Sequence, residues 1–256
     1  MRIVRTIAEL DAVPRDGVVG LVPTMGALHA GHVSLFEAAR EECDTVVTSL
    51  FVNHAQFAPG EDFTRYPRDE AADTHIADRA GVDILFAPSV DEIYPDGFQM
   101  WVDVQELSKP LEGEFRPGHF RGVATVCLKL FNIVRPQRAY FGAKDAQQVA
   151  VLRQMVRDLN LDLELRVLPT VRDTDGLALS SRNAYLSQQE RERALALPRA
   201  LRTRDPVRAR ALLAEAGVQT DYVDVLEENG SRVLVGAIRI GSTRLIDNVR
   251  LEGESQ

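Results

Sequence analysis

The chain has 256 residues, of which 45% are hydrophobic and 27% are charged. This mixture is typical of a globular protein and excludes a disordered chain, a collagen-like repeat and a coiled coil. Lysine and arginine total 30 against 38 for aspartate and glutamate, so the formal net charge is −8. A negative balance argues against a broad nucleic-acid-binding surface.

The cysteines and the apolar segments indicate where such a protein works. Cys43 and Cys127 show no spacing typical of a disulfide framework or a metal site. No stretch approaches the roughly 18 apolar residues that a membrane span needs, and the first residues lack the apolar core of a signal peptide. We therefore expect a cytoplasmic protein that does not associate with membranes.

Short apolar runs alternate with segments of helical periodicity through the first two-thirds of the chain. Strands are predicted at residues 18–22, 45–52, 82–86, 139–141 and 163–168, and helices at 31–42, 69–80, 122–134 and 145–159. Such alternation predicts parallel strands joined by helical crossovers. The predicted fold is therefore α/β, a Rossmann-like doubly wound sheet with its ligand crevice at the carboxyl ends of the strands.

The last third of the chain has a different pattern. Two helical segments rich in arginine and alanine lie between residues 187 and 217 and are broken at Asp205–Pro206. Three β-like runs follow at 222–226, 233–240 and 243–249, which predicts an antiparallel meander. We expect a first domain over residues 1–172 and a small α+β C-terminal domain over residues 173–256.

The strongest chemical feature is the segment PTMGALHAGH at residues 23–32, which joins a predicted strand to a predicted helix. Gly26 and Gly31 would let the backbone approach a ligand, and the start of a helix favours a phosphate. His29 and His32 are three residues apart, so both rings can face one ligand and donate to its oxygens. The segment predicts a phosphate site, although histidines that only cap the helix would show the same spacing.

Two further segments suit a phosphate. In FGAKDAQQ, residues 141–148, Lys144 lies at a predicted helix start, where a cation opposes the helix dipole and an anion nearby would compensate. Gln148 follows four residues later on the same face, but a solvated lysine and a capping Asp145 would also fit. In LSSRN, residues 179–183, two hydroxyls and a guanidinium suit a triphosphate, a weak signal by itself. The chain has neither a P-loop nor a G-x-G-x-x-G turn, so a nucleotide would be bound in another way.

Two loops complete the candidates. Asn53 and Gln56 in FVNHAQF, residues 51–57, could hydrogen-bond the hydroxyl and carboxylate of a small polar substrate, or could simply be turn residues. The basic, glycine-containing segment EGEFRPGHFRG, residues 112–122, leads into a helix. It could serve as a lid, contact an anion, or be a solvated connection.

Taken together, PTMGALHAGH, FVNHAQF, RPGHFRGV, FGAKDAQQ and LALSSRN resemble, in order and spacing, the pantothenate synthetase family, also called pantoate–β-alanine ligases. The resemblance is close over about residues 20–190 and loose elsewhere. The H-x-G-H element alone would indicate only the wider nucleotidyltransferase superfamily.

The resemblance implies a two-step, ATP-dependent ligation. The carboxylate of pantoate attacks the α-phosphate of Mg-ATP, and pyrophosphate leaves. The amine of β-alanine then attacks the pantoyl adenylate, which gives pantothenate and AMP. The resemblance also implies a Rossmann-like domain with a small C-terminal domain that closes over ATP, usually in a homodimer.

It further implies roles for matching residues. His29, His32 and Lys144 would contact phosphate as catalytic groups, with His32 the proton donor. Gln56 and Gln148 would hold pantoate, with Asn53 in the same substrate-binding group and Gln56 also facing β-alanine. Ser180, Ser181 and Arg182 would close on the triphosphate as catalytic groups. The implied ATP-binding set is Met25, Gly26, Ala27, Leu28, His29, Ala30, Gly31, His32, Gly142, Ala143, Lys144, Asp145, Val171, Leu179, Ser180, Ser181 and Arg182. The ligands of Mg²⁺ are not indicated.

Some features depart from the family pattern. His54 stands where the family usually has proline, Ala143 where it usually has glutamate, and the region around residues 202–207 looks shortened. Two other functions stay open at this point. A nucleotidylyltransferase acting on a phosphorylated acceptor would need more cations than Gln56 and Gln148 provide, and a non-catalytic nucleotide-binding protein has only Ala143 in its favour.

Overall fold

The computed structural model describes residues 1–228 and 230–252. The chain forms two compact units, the first from residues 1–142 and 151–168, the second from residues 143–150 and the described residues after 168. Residues 143–150 thus belong to the second unit, although they precede the boundary expected between residues 172 and 173. The end of the expected C-terminal domain, residues 253–256, lies outside the described residues.

A six-stranded parallel sheet forms the centre of the first unit. Its strands are β1 (Arg2–Val4), β2 (Val19–Thr24), β3 (Thr45–Leu50), β4 (Ile84–Phe86), β5 (Arg138–Gly142) and β6 (Glu164–Leu168), and their order across the sheet is β1-β4-β3-β2-β5-β6. The order reverses between β2 and β5. In open α/β sheets, ligands bind at the carboxyl ends of the strands beside such a reversal.

The central position of β2 and β3 follows from their composition. Residues 45–49 of β3 are all buried, as is every residue of β2 except Pro23. Continuous apolar or β-branched runs of this kind are typical of parallel strands covered on both faces. The edge strand β1 has only three residues, too few to show a periodic pattern, and it lies outside the elements that the sequence predicts.

Helices connect the strands and pack around them. They are α1 (Ile7–Asp11), α2 (Ala30–Glu42), α3 (Glu70–Arg79), α4 (Val90–Ile93), α5 (Glu112–Phe115), α6 (His119–Val134) and α7 (Ala146–Asp158). Side-chain caps fix several starts, such as the Thr6–Glu9 capping box on α1. Phe36, Leu85 and Tyr140 lie in one buried apolar cluster of this unit. The predicted α/β class is confirmed.

The second unit contains an antiparallel meander and three helices. The strands β7 (Gln219–Glu228), β8 (Ser231–Ile240) and β9 (Thr243–Glu252) pair in that order, as the predicted meander requires. The helices are α8 (Gln188–Ala194), α9 (Ala196–Leu201) and α10 (Pro206–Glu215). Leu197, Leu201, Leu213, Leu234 and Ile238 are buried together in its core.

The sequence predicts one helix where the structure has α8 and α9. The physical reason is Pro198, which lacks an N–H and whose ring would clash with the carbonyl of Ala194, the last residue of α8. The predicted break at Asp205–Pro206 is confirmed, because the Asp205 carboxylate caps α10 by accepting the N–H groups of Val207 and Arg208. No described helix combines the length and apolar character of a membrane span.

Candidate active site

The two histidines of the 23–32 segment cap helix α2 reciprocally. Nδ1 of His29, the N-cap residue, accepts the N–H of Gly31 at 3.1 Å, and Nδ1 of His32 accepts the N–H of His29 at 3.2 Å. Because each Nδ1 is an acceptor, each neutral ring carries its proton on Nε2. The ring centres are 4.2 Å apart. The histidines can therefore cap the helix and also bind phosphate, because capping uses Nδ1 and leaves the proton on Nε2.

Gly31 is required for this arrangement. A Cβ atom at this position would lie 2.9 Å from Cε1 of His29, closer than carbon atoms approach. Any larger residue would push the His29 ring away from the amide that it caps. The glycine of H-x-G-H therefore makes room for the first histidine, a different role from the close ligand approach that the sequence suggests.

The backbone amides before the histidines have protein partners. The buried carboxylate of Asp73 on α3 accepts the N–H of Ala27 at 2.9 Å and that of Leu28 at 2.7 Å. With the Gly31 N–H bound to His29, three amides that the sequence suggests for phosphate binding already donate within the protein. These amides therefore serve the fold, and the imidazoles of His29 and His32 stay the predicted anion donors of this segment. Met25 and Ala30, which flank these residues, are half-buried and exposed respectively.

Asn53 and Gln56 lie in one turn after β3. Residues His54–Gln56 form a single 3-10 turn, and the Asn53 side chain caps it by accepting the N–H of Ala55 at 3.3 Å. Asn53 Nδ2 donates to Gln56 Oε1 and to the Gly122 carbonyl, both at 3.1 Å. Because Asn53 occupies Oε1, Gln56 offers a ligand its Nε2 donors. The role of Asn53 as a direct substrate ligand stays a prediction.

Tyr94 holds this amide from the other side. Its hydroxyl donates to Asn53 Oδ1 at 2.9 Å. Burial raises the pKa of Tyr94, so the phenol keeps the proton that it donates. His54, the residue that departs from the family pattern, packs edge-on against the Tyr94 ring with ring centres 5.1 Å apart.

In the second unit, the Lys144 turn follows directly after β5. Gly142 ends the strand, Ala143–Asp145 form a 3-10 turn, and α7 begins at Ala146. Asn248 of β9 donates through Nδ2 to the carbonyls of Ala143 and Lys144, both at 2.8 Å. These bonds give the physical reason why the turn belongs to the second unit. Gln148, in the first turn of α7, is half-buried.

The third predicted segment, residues 171–183, lies in the same unit. The Val171 carbonyl accepts the N–H of Leu179 at 3.0 Å, which brings the two ends of the segment together. Ser180 caps the 3-10 turn Ser181–Tyr185 by accepting the N–H of Arg182 at 3.3 Å. Strand β9 contacts both this turn and the Lys144 turn. The second unit thus brings a lysine, two hydroxyls and a guanidinium close to one strand.

A partly buried ion pair supports the same region. Arg172 forms two hydrogen bonds with the carboxylate of Asp247, at 2.6 and 2.9 Å, and donates to the carbonyl of Asn248 at 3.3 Å. Bidentate pairs of this type restrict the geometry of both partners. The residue that holds the Lys144 turn is therefore itself held by the segment that carries Ser180 and Arg182.

Sequence reasoning missed Asp73, Tyr94 and Asn248. Asp73 had a signal, because it lies four residues before Ala77, on the buried face of α3. Tyr94 and Asn248 had none, since their partners are 41 and 104 to 105 residues away along the chain. Arg116 and His119 of the 112–122 segment are largely buried, so the solvated-loop interpretation does not hold for them.

A parallel sheet whose strand order reverses beside the start of a helix is typical of nucleotide-binding α/β proteins. The candidate groups are hydrogen-bond donors and cations, which suits the stabilisation of phosphate charge better than attack by a protein nucleophile.

Comparisons with known proteins agree with this class. A family model described as pantoate-beta-alanine ligase matches residues 2–250. A pantothenate synthetase from Acidobacterium capsulatum is 50% identical, covering 98% of this chain and 97% of its own length. A pantothenate synthetase from Chloroflexus aurantiacus is 49% identical over the whole of both chains.

Solved structures give the same result. The pantothenate synthetase from Thermus thermophilus has a TM-score of 0.93 at 47% identity, covering 99% of this chain and 100% of that one. The pantoate-beta-alanine ligase from Francisella tularensis, solved in complex with beta-gamma ATP and beta-alanine, has a TM-score of 0.90 at 37% identity, covering 99% of each chain.

The chain belongs to the pantoate-beta-alanine ligase family. The fold and the ligase class expected from the five motifs are confirmed. The roles of individual residues stay predictions.

Proposed function

We propose that the protein condenses pantoate with β-alanine in two steps at the expense of ATP. In the first step, a pantoate carboxylate oxygen bonds to the α-phosphorus of ATP and pyrophosphate leaves. In the second, the amine of β-alanine attacks the acyl carbon of the pantoyl adenylate, the amine loses a proton, and AMP leaves. The reciprocal capping of His29 and His32 carries the proposal, because it orients two donors where the sheet order reverses.

In the first unit, the groups suit the start of the reaction. The pantoate carboxylate is ionised at neutral pH and needs no general base, so the protein has to orient it and stabilise developing charge. Gln56 binds pantoate through its Nε2 donors, because Asn53 holds its Oε1. His29 and His32 donate from Nε2 to phosphate oxygens, and His32 is the proton donor that the family resemblance implies.

In the second unit, the groups suit a polyphosphate. Within the described residues 1–228 and 230–252, no carboxylate forms an ion pair with Lys144, so its charge is available for an anion. Ser180, Ser181 and Arg182 add hydroxyl donors and a second cation on a turn that Ser180 itself caps. We assign the phosphates to these residues, adenine to Val171, and a pantoate contact to Gln148.

Magnesium enters as part of the substrate Mg-ATP. The part of the chain that the structure describes holds no group of three or more His, Cys, Asp or Glu side chains placed to bind a metal ion. Mg²⁺ in nucleotide enzymes is usually held by phosphates, water and one or two carboxylates, so such a group is not needed. The ion neutralises part of the phosphate charge that the attacking carboxylate must approach. The homodimeric state and the cytoplasmic location implied by the resemblance belong to the same proposal, and light scattering of the purified protein tests the first.

An end-point assay tests the reaction. Purified protein is incubated with Mg-ATP and D-pantoate, with and without β-alanine, and pyrophosphate, AMP and pantothenate are quantified. We expect pyrophosphate with pantoate alone, and AMP with pantothenate once β-alanine is added. Folded protein that releases no pantoate-dependent pyrophosphate would refute the proposal.

His29→Asn tests the histidine pair separately from the fold. Asparagine is a good N-cap residue, so α2 should still begin at Ala30, while the Nε2–H donor is lost. Removal of one donor to developing charge typically costs about 10²–10³ in rate, and we expect a loss in that range. His75→Asn, at an exposed position on α3, is the matched control and should behave as the wild type. Equal rates for the two variants would remove His29 from the reaction.

A further inference from the structure

The Gln56 carbonyl is held by two side chains of the 112–122 segment. Nδ1 of His119 lies 2.9 Å from this oxygen, and Nη2 of Arg116 lies 3.4 Å from it. A carbonyl only accepts, so His119 must carry its proton on Nδ1. Its Nε2 must then accept, and Nη1 of Arg116, which only donates, lies 3.1 Å away. The two contacts independently require the same neutral form of the ring.

Arg116 is fixed in turn by Glu61. Nε and Nη2 of the guanidinium each donate to a carboxylate oxygen of Glu61 at 2.8 Å. This fork fixes the guanidinium plane and directs Nη1 toward His119. The Arg116 side chain is only 12% exposed, and His119 only 8%. The chain Glu61–Arg116–His119–Gln56 is therefore an ordered, largely buried series of charge-assisted and neutral hydrogen bonds.

The start of helix α6 packs closely against the turn at residues 54–56. A Cβ atom at Gly122 would lie 2.3 Å from the Ala55 carbonyl oxygen and 2.6 Å from the Gln56 amide nitrogen, so only glycine fits. Asn53 ties the two segments together by donating to both the Gly122 carbonyl and the Gln56 side chain. Helix α6 therefore fixes the position of the turn at residues 54–56, in addition to the turn's own two backbone hydrogen bonds.

We propose that His119, oriented by Arg116, is a positioning residue that holds the Gln56 side chain in the orientation that binds the carboxylic acid substrate. The inference rests on the proposed function, in which Gln56 binds pantoate. A single 3-10 turn has few hydrogen bonds of its own, and rotation of the peptide that follows Gln56 would move its side chain. The hydrogen bond from His119 Nδ1 prevents that rotation. The RPGHFRG motif thereby acts on the substrate through Gln56 and not as a lid.

Two substitutions at His119 separate the two ring nitrogens. His119→Asn places an amide near the Nδ1 position and keeps a donor to the Gln56 carbonyl. His119→Gln places its amide near the Nε2 position and keeps a partner for Arg116, but loses that donor. Loss of a hydrogen bond of this kind typically corresponds to a two- to tenfold change, so we expect His119→Gln to raise the KM for pantoate about three- to tenfold. We expect the KM for ATP to stay within about twofold in both variants, and His119→Asn to stay within about twofold of the wild type for pantoate.

A double-substitution cycle with Gln56→Ala tests the route of the effect. Without the Gln56 side chain there is nothing to position, so His119→Gln should raise the KM for pantoate no further. A full additional rise in the Gln56→Ala background would overturn the inference. Equal KM values for pantoate in His119→Gln and His119→Asn would overturn it as well, because a merely structural residue affects both alike.

Thermal unfolding verifies that each variant is folded. Should His119→Gln fail to fold, Arg116→Lys replaces it in the same cycle, because lysine keeps a charge near Glu61 but cannot bridge Glu61 and His119 together. The same rise in the KM for pantoate is expected for Arg116→Lys, and its absence would refute the role.

Wild-type protein that releases no pantoate-dependent pyrophosphate would refute the proposed function itself, whereas active wild type with unchanged variants refutes only the positioning role.

Discussion

Replacing Asp73 by asparagine tests what holds the backbone before the histidine pair. The two carboxylate oxygens of Asp73 accept the N–H groups of Ala27 and Leu28 at 2.9 and 2.7 Å. Asparagine keeps the size of the side chain but has one oxygen only. Whichever way its amide is turned, one backbone N–H must face an NH₂ group.

The expected magnitude follows from the charge and the burial of the acceptor. Asp73 is 3% exposed, and a lost hydrogen bond to a charged group costs about 1.5–3 kcal/mol. One kcal/mol shifts the Tm of a protein of this size by about 2–4 °C, so Asp73→Asn should melt roughly 3–12 °C below the wild type. Displacement of Ala27 and Leu28 also moves His29, and a loss of about 1.4 kcal/mol in ATP binding would raise the KM for ATP tenfold.

Thermal unfolding and pyrophosphate release at varied ATP measure the two effects. Asp78→Asn on the same helix is the matched control. Its side chain is 58% exposed and pairs with the N-terminal amine at 3.2 Å, and an ion pair of an exposed carboxylate contributes about 0–1 kcal/mol. If Asp73→Asn matched Asp78→Asn in both Tm and KM, the carboxylate would not be holding the loop, and the reasoning would be wrong.

Three other substitutions test the second unit and the ion pair between Glu42 and Arg166. Lys144→Met should lower pantoate-dependent pyrophosphate release by about 10²–10³, because it removes a cation from the phosphates. Asn248→Asp should raise the KM for ATP about tenfold, since a carboxylate cannot donate to the carbonyls that Asn248 now holds. Arg166 donates to Glu42 at 2.9 Å and lowers the pKa of the Glu42 carboxyl. The ion pair therefore stabilises the fold above the ordinary pKa of 4.5, and this stabilisation is lost as the pH falls through the lowered pKa. Glu42→Gln should therefore cost less than about 1 kcal/mol at pH 7 and nothing at the acid end of a pH series of melts.

Each of these substitutions has its own control or contrary result. Lys109→Met is the control for Lys144→Met, because it removes an exposed lysine, and it should leave pyrophosphate release unchanged. Arg250→Ala, at an exposed position of β9, should leave the KM for ATP unchanged, and an equal change in Asn248→Asp would mean that the strand as a whole is responsible. A constant difference between Glu42→Gln and the wild type from pH 7 to the acid end would contradict the ion-pair argument.

Local patterns predicted the parts of the fold that depend on local interactions. Runs of β-branched residues located β2 and β3, because buried parallel strands need apolar residues on both faces. The break between α8 and α9 could also be predicted from the sequence, because the Pro198 ring clashes with the carbonyl of the residue four positions earlier in a continuous helix. The three-residue strand β1 was not, because its place depends on pairing with β4, more than 80 residues away.

The candidate site divides in the same way. His29, His32 and Lys144 stand at strand-to-helix junctions, which periodicity can locate. Asp73 and Asn248 reach their partners through the tertiary fold, so their roles have no signature at fixed spacing. The sequence did single out the RPGHFRG segment, but only the structure shows that Arg116 and His119 within it face the protein interior.

The mutual capping of His29 and His32 has an evolutionary consequence. Each imidazole caps the helix through Nδ1 and is proposed to bind phosphate through Nε2. Most substitutions that remove the phosphate donor would therefore also weaken the start of α2. A descendant that had lost the reaction would be expected to replace His29 with serine, threonine, aspartate or asparagine, side chains that still accept the Gly31 amide. The residue found at position 29 in a divergent copy therefore distinguishes abandoned catalysis from simple decay of the gene.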